Sequence, residues 1–131
     1  MKILIAEDDL TSRVIMEEFL NPYGDCHTAV NGTEALESFR AVSAQHEPYA
    51  LICLDIMMPE LGGHGVLAQI RKDEEMVGVS PDRAVKIIMT TALSDPRNVM
   101  KAFSGQCEAY LVKPVKREKL LETLRDLKLI A

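Results

Sequence analysis

The chain has 131 residues, enough for one domain, and its 47% hydrophobic and 27% charged composition is typical of a soluble globular protein. The net charge of −5 argues against nucleic-acid binding, because phosphate contacts require a basic surface. The sequence contains neither a transmembrane stretch of ~20 apolar residues nor an export signal, so we expect a cytoplasmic protein that does not contact a membrane.

Apolar runs alternate with helix-period segments along the chain, which is the pattern of βα units and a parallel sheet. Strands are predicted at 2–7, 25–30, 49–55, 84–90 and 108–112. Helices are predicted at 11–21, 33–46, 63–76, 96–105 and 117–128. The polar segment 73–83 is interpreted as a longer surface connection. The sequence therefore predicts one α/β domain over residues 1–131, with no separate output domain.

Capping residues and apolar spacings support these helices. Thr11 or Ser12 is predicted to cap the first helix, with Asp9 either facing solvent or serving as the cap. The apolar residues of its buried face are predicted to be Val14, Ile15, Phe19 and Leu20. The three cysteines, Cys26, Cys53 and Cys107, are odd in number and widely spaced, which favours buried free thiols in a reducing compartment.

Acidic residues follow two of the predicted strands. The first strand ends in Glu7-Asp8-Asp9, and the third, a fully apolar run, ends in Asp55. Parallel strands deliver their carboxyl ends to one edge of the sheet, where open α/β sheets bind ligands. Unpaired charges near a core are costly, so such a cluster requires a cation. Carboxylate oxygens suit Mg²⁺, and the sequence predicts a metal-dependent acidic site.

The last two strands end in residues suited to a phosphoryl group. An aspartate such as Asp55 can act as a nucleophile toward phosphorus. Lys113 would place a positive charge on the phosphoryl oxygens, and the Thr91 hydroxyl would donate a hydrogen bond to them. Each residue alone has an ordinary explanation, such as a helix-capping acid or a solvated lysine. Their occurrence together at the strand ends favours the functional interpretation.

Four motifs resemble the receiver domain of bacterial two-component response regulators, the family of the chemotaxis protein CheY. The motifs are Ile5-Ala6-Glu7-Asp8, Leu54-Asp55-Ile56-Met57-Met58-Pro59, Met89-Thr90-Thr91-Ala92 and Ala109-Tyr110-Leu111-Val112-Lys113-Pro114. The resemblance covers essentially the whole chain. It implies a flavodoxin-like (βα)5 fold: a doubly wound, five-stranded parallel sheet of order 2-1-3-4-5 with helices on both faces. It also implies a cis peptide bond between Lys113 and Pro114.

The resemblance further implies a role for each residue of the site. Asp55 would be the phosphoacceptor. Glu7, Asp8 and Asp55 would hold Mg²⁺, together with the backbone carbonyl of Met57. Lys113 and Thr91 would contact the phosphoryl group, and Thr91 would form a switch pair with Tyr110.

A histidine kinase or a histidine phosphotransfer protein would then supply the phosphoryl group. The face made by the fourth helix, fifth strand and fifth helix would change shape and bind a downstream protein. The chain would not be an enzyme, because it would catalyse only its own phosphorylation and a slow dephosphorylation, slow because Met57 and Leu93 are apolar. Residues predicted to contact partners are Lys101, Glu108, Lys116 and Lys119 for the target, and Arg13 and Ile15 for the donor.

Other functions share this architecture. An aspartyl phosphatase needs a second acid soon after its nucleophile, whereas Ile56, Met57 and Met58 follow Asp55. A flavodoxin needs a Ser-, Thr- or Gly-rich phosphate loop after the first strand, and the acids there would repel a phosphate. A receiver that binds constitutively without phosphorylation stays open. The output also stays open: the chain could engage a flagellar motor, serve as a phosphorelay intermediate, or bind an enzyme or kinase as an allosteric adaptor. Where the family commonly has Asp-Gly, this chain has Gly62-Gly63, so the third helix is predicted to lack a side-chain cap.

Overall fold

A computed structural model describes residues 1–92 and 107–131. Its parallel sheet contains five strands in the order β2-β1-β3-β4-β5, as predicted: Lys2–Ala6 (β1), Asp25–Ala29 (β2), Leu51–Asp55 (β3), Lys86–Thr91 (β4) and Ala109–Val112 (β5). The helices are Leu10–Leu20 (α1), Gly32–Ala44 (α2), Gly63–Val77 (α3) and Arg117–Asp126, the C-terminal helix. The helix predicted at 96–105, together with Leu93 and Lys101, lies outside the described residues.

Alternate strand residues face two separate cores, which makes the sheet doubly wound. One face of β1, β3 and β4 packs on α2 and α3 through Leu4, Ile52, Ile87, Phe39 and Ile70. The other face packs on α1 and the C-terminal helix through Ile5, Cys53, Ile88, Leu20 and Leu124. The three central strands are therefore covered on both sides, which explains why their sequences are continuous apolar runs. Within the described ranges, no helix combines the length and apolarity that crossing a membrane requires.

The first helix has the cap that the sequence offered as one of its alternatives, and its buried face differs in part from the prediction. Asp9 is the cap, because its Oδ2 accepts a 2.9 Å hydrogen bond from the Ser12 amide, so neither Thr11 nor Ser12 caps the helix. Met16 and Leu20 form the buried stripe, whereas Val14 and Ile15 are 46% and 40% exposed. Residues 16 and 20 lie one helical turn apart, and this i, i+4 spacing selected the face.

The prediction of a surface connection at 73–83 was wrong in its first half. The third helix continues to Val77 and ends at Gly78, whose φ of 77° gives the left-handed cap that glycine adopts readily. Glu74 is buried in this stretch and accepts a 2.8 Å hydrogen bond from the amide of Val85. At the other end of the helix, Gly62 provides no side-chain cap, as predicted.

A close contact between α2 and the loop after β3 fixes the position of that loop. A Cβ atom at Gly32 would lie 1.8 Å from the carbonyl oxygen of Leu61, so only glycine allows the approach. The Thr33 hydroxyl donates a 3.3 Å hydrogen bond to Glu60 Oε2. Glu60 itself has a φ of 67°, a backbone conformation that residues other than glycine rarely adopt. The loop that follows Asp55 is thus seated on the amino terminus of α2.

Candidate functional site

The carboxyl ends of β1, β3 and β5 bring two buried acids and one lysine together. Glu7 follows β1 and Asp55 is the last residue of β3, and they are only 3% and 4% exposed. Lys113 follows β5; its Nζ donates a 3.1 Å hydrogen bond to Asp55 Oδ2 and forms an ion pair with Glu7 Oε1. Asp8 is exposed beside them, and one carboxylate oxygen from each of the three acids lies within 4.8 Å of the others.

Backbone contacts hold the acidic loop after β1. The Glu7 amide donates to the Ala29 carbonyl oxygen of β2 at 3.0 Å, and the Asp9 amide donates to Glu7 Oε2 at 3.2 Å. From α1, Arg13 Nη1 donates to the Glu7 carbonyl oxygen at 2.9 Å. The loop is therefore attached to the neighbouring strand and to the helix that follows it.

The charges at this edge are unbalanced. Burial raises the pKa of Glu7, and the nearby Asp55 carboxylate raises it further, whereas the Lys113 hydrogen bond only partly opposes this rise. Burial disfavours the charged form of Lys113, but the hydrogen bonds and charges of Glu7 and Asp55 outweigh it, so the pKa of Lys113 is raised. Three carboxylates thus face a single ammonium group, and the edge attracts a further cation.

The donor set fits Mg²⁺. Three hard carboxylate oxygens are the ligands that this ion prefers, and an exposed acid leaves room for the water ligands that it keeps. Met57, the predicted fourth ligand, is 71% exposed, and its amide donates a 3.2 Å hydrogen bond to Asp55 Oδ1. The loop after Asp55 is thus bound back onto the acid, which keeps Met57 beside the cluster.

The predicted switch residues lie on β4, which is next to the strand of Asp55, and on β5, which pairs with β4. Thr91 is the last residue of β4 and is 2% exposed, and its carbonyl oxygen accepts a 2.7 Å hydrogen bond from the Lys113 amide. Tyr110 in β5 is half-buried. The register pairs Met89 with Tyr110 and Thr91 with Val112, so Thr91 and Tyr110 share one face of the sheet. The predicted cis bond between Lys113 and Pro114 is present.

The surface predicted to bind a downstream protein is described in part. A cavity of about 440 Å³ is lined by Tyr110, Leu111, Val112, Pro114, Val115, Lys116 and Lys119. Lys116 and Lys119 are exposed there, as a contact surface requires, whereas Lys101 lies outside the described residues. Glu108 differs from the prediction because both of its carboxylate oxygens lie 3.0 Å from Arg71 Nη2 of α3. Its side chain stabilises the fold.

The sequence interpretation missed Arg71 and Glu74, and gave Arg13 a role only toward a partner. Arg71 Nη1 donates to Glu74 Oε1 at 2.7 Å and to the Val85 carbonyl oxygen at 3.0 Å. The sequence did contain a signal for this pair: Arg71 and Glu74 are charged residues one helical turn apart, next to the buried Ile70 of α3. The pairing of Arg71 with Glu108, 37 residues away, could not be predicted from the local sequence.

A family model for the response regulator receiver domain matches residues 3–125. The chain belongs to this family. Among curated relatives, the probable transcriptional regulator ycf27 of Cyanophora paradoxa is 35% identical to this receiver over 127 residues, which are 96% of this chain and 47% of that protein. The chain thus spans about half the length of the curated relatives it matches. Receiver domains are signalling phosphoacceptors and not classical enzymes, and they bind Mg²⁺ at their acidic site.

Solved receivers share this fold. The chemotaxis protein CheY4 of Vibrio cholerae matches with a TM-score of 0.77 and 26% identity, over 95% of this chain and 96% of that one. A co-crystal structure of the Saccharomyces cerevisiae histidine phosphotransfer protein Ypd1 with the receiver domain of Ssk1 matches with a TM-score of 0.82 and 27% identity, over 96% and 87%. This receiver therefore has the CheY-like architecture that the four motifs predicted.

Proposed function

We propose that this receiver is a response regulator that accepts a phosphoryl group on Asp55 in the presence of Mg²⁺. The main observation that supports this proposal is that the Asp55 carboxylate is buried, contacts Lys113 and lies within 4.8 Å of two further carboxylates. In the transfer, an Asp55 oxygen forms a bond to phosphorus as the bond from phosphorus to the donor's histidine nitrogen breaks. The electron pair of that bond leaves with the imidazole.

The side chains around Asp55 have separate tasks in this proposal. Glu7, Asp8 and Asp55, with the Met57 carbonyl, would hold Mg²⁺, which supplies positive charge to the transferred oxygens when bound. Lys113 supplies a second positive charge, since its ammonium already contacts Asp55 Oδ2 at 3.1 Å. The Met57 amide keeps the other Asp55 oxygen oriented through its hydrogen bond. The transfer therefore requires little movement of the acid.

The response would pass through Thr91 and Tyr110. Thr91 ends the strand next to Asp55, and Tyr110 lies on the same face of the sheet and lines the 440 Å³ cavity. A hydrogen bond from the Thr91 hydroxyl to the new phosphoryl group would draw this residue toward Asp55, and Tyr110 would turn inward. The surface of the fourth helix, β5 and the C-terminal helix would change and bind a downstream protein.

The donor would be a histidine kinase or a phosphotransfer protein in the cytoplasm. The solved complex of Ypd1 with the Ssk1 receiver supports a phosphotransfer protein as one donor type.

Intact-protein mass spectrometry after incubation with Mg²⁺ and acetyl phosphate tests the phosphoacceptor. We expect one phosphoryl-sized gain in the wild type, and no gain in Asp55→Asn or after metal chelation. The matched control is Asp25→Asn, which makes the same change at an exposed acid of β2 and should be phosphorylated normally. A gain in mass that persists in Asp55→Asn would contradict the assignment.

Because Met57 is apolar, the phosphorylated form should decay over minutes or longer; a lifetime of seconds would contradict this.

A further inference from the structure

Arg13 has no task in the transfer chemistry, yet its side chain reaches the acidic site. It lies in the first turn of α1 and is half-buried. Its Nη1 donates a 2.9 Å hydrogen bond to the Glu7 carbonyl oxygen, which belongs to the peptide group between Glu7 and Asp8. The guanidinium therefore holds the orientation of the peptide plane that links two of the acids.

The two acids depend on this peptide plane to different degrees. Glu7 is buried, and its side chain contacts Lys113 and the Asp9 amide. Asp8 is exposed, so the position of its carboxylate is set mainly by the backbone that carries it. A change in the Glu7–Asp8 peptide would move the Asp8 carboxylate out of the cluster and leave Glu7 in place.

We propose that Arg13 is a positioning residue for the Mg²⁺ site, acting through the Glu7–Asp8 peptide on the Asp8 carboxylate. The inference rests on the proposed function, because it takes Glu7 and Asp8 as ligands of the ion. Arg13 does not itself contact the ion. Its hydrogen bond is charge-assisted, a class that is about twice as strong as bonds between neutral groups.

Simple electrostatics predicts the opposite change in Mg²⁺ affinity when Arg13 is replaced. Arg13 carries a positive charge beside a cation site, so Coulomb repulsion alone implies that removing the charge tightens Mg²⁺ binding. If Arg13 positions Asp8, removing it weakens binding instead, since the loss of a group that orients metal ligands costs about 10- to 100-fold in affinity. The sign of the change separates the two explanations.

Isothermal titration of MgCl₂ into the wild type, Arg13→Gln and Arg40→Gln tests the proposal. The Arg40→Gln control removes the same charge from an exposed side chain that pairs with Asp73, so net charge is matched. We expect Arg13→Gln to bind Mg²⁺ at least about tenfold more weakly than the wild type, and Arg40→Gln to bind as the wild type does. Binding by Arg13→Gln that equals or exceeds the wild type would overturn the proposal.

Two further readouts separate positioning from a loss of folding. In the metal-free protein, the amide resonances of Glu7, Asp8 and Asp9 should move in Arg13→Gln and stay in place in Arg40→Gln. Thermal unfolding in a chelator should be similar in both variants. If Arg13→Gln does not fold, Arg13→Met keeps the aliphatic length without a donor, and the same weakening is expected. A wild type that binds no Mg²⁺ at millimolar concentration contradicts the proposed function, whereas unchanged binding in the variants contradicts only the role of Arg13.

Discussion

The two edges of the sheet carry similar groups and use them differently. At the edge where the strands end, the buried acids Glu7 and Asp55 share the ammonium of Lys113. At the edge where the strands begin, Glu74 and Glu108 share the guanidinium of Arg71, which is 13% exposed. We call this second group, Arg71, Glu74 and Glu108, the arginine clamp.

Hydrogen bonding distinguishes the arginine clamp from the site. In the clamp, Glu74 Oε2 accepts from the Val85 amide at 2.8 Å, and Glu108 Oε2 accepts from the Ile87 amide at 2.6 Å. The planar guanidinium donates to Glu74 Oε1 and to both carboxylate oxygens of Glu108, a geometry that an ammonium cannot match. At the site, the amide contacts are 3.2 Å long and a third acid, Asp8, is exposed nearby. The carboxylates of the clamp are satisfied by short hydrogen bonds, whereas the three carboxylates at the site outnumber the positive charges beside them, which suits a divalent ion.

Removing the cation of the clamp should have the largest effect. Arg71→Gln leaves two carboxylates without their charged partner inside the fold, so we expect a loss of about 3 kcal/mol in the free energy of unfolding. Urea-induced unfolding measures this loss. Arg40→Gln breaks an ion pair on the exposed surface between α2 and α3, and should change stability little. Equal losses in the two variants would show that the clamp is no different from a surface pair.

The same Glu→Gln change should affect the free energy of unfolding differently at the two edges. Glu108→Gln removes a carboxylate that is bound to Arg71 and to the Ile87 amide, so we expect a loss of about 2 kcal/mol. The raised pKa of Glu7 means that folding favours its protonated form. Stability from this group therefore increases as the pH falls through its folded pKa, and ionised Glu7 is unfavourable at neutral pH.

Glu7→Gln should consequently leave the metal-free protein as stable as the wild type, or slightly more stable, while abolishing the stabilisation that Mg²⁺ gives. Thermal unfolding at neutral pH, with a chelator and then with MgCl₂, measures both effects. A destabilisation of metal-free Glu7→Gln as large as that of Glu108→Gln would remove the distinction between the two edges.

The smallest change in stability is expected from substitutions in the loop after β3. Glu60 has a φ of 67°, which costs a residue with a side chain about 1 kcal/mol. Glu60→Gly should relieve this cost, less the entropy that glycine adds to the unfolded chain, for a net gain below about 1 kcal/mol. Glu60→Ala loses the Thr33 hydrogen bond without relieving the backbone, and should not be stabilised. Chemical denaturation of both variants checks the difference.

Local sequence patterns were enough to predict the parallel strands and the charged residues at their ends, whereas the strand order came from the resemblance to the receiver family. The apolar strands β1, β3 and β4 are buried on both faces, and a strand of that kind has a clear sequence signal. The acids at their ends stood out because carboxylates are rare beside such runs. Once the strands are parallel, Glu7, Asp55 and Lys113 must meet at one edge, and they do.

The features that were missed depend on contacts between distant residues or on a choice between neighbours. The arginine clamp joins Arg71 to Glu108, 37 residues away, and nothing in a local window indicates that pairing. In α1, Thr11, Ser12 and Asp9 could each serve as the cap, and only the path of the backbone after β1 selects Asp9. Val14 and Ile15 were expected in the core because they are apolar, but the position of α1 on the sheet exposes them and buries Met16 beside the predicted Leu20.

The exposure of Met57 makes it a spectroscopic reporter. Its side chain is 71% exposed and lies two residues after Asp55, so its methyl group can rotate freely while sensing the charge of its neighbour. Met76, which is 76% exposed at the far end of α3, provides an internal reference on the same molecule. Protein made with ¹³C-methyl methionine would thus report the chemical state of Asp55 in solution, without a substitution or an attached dye.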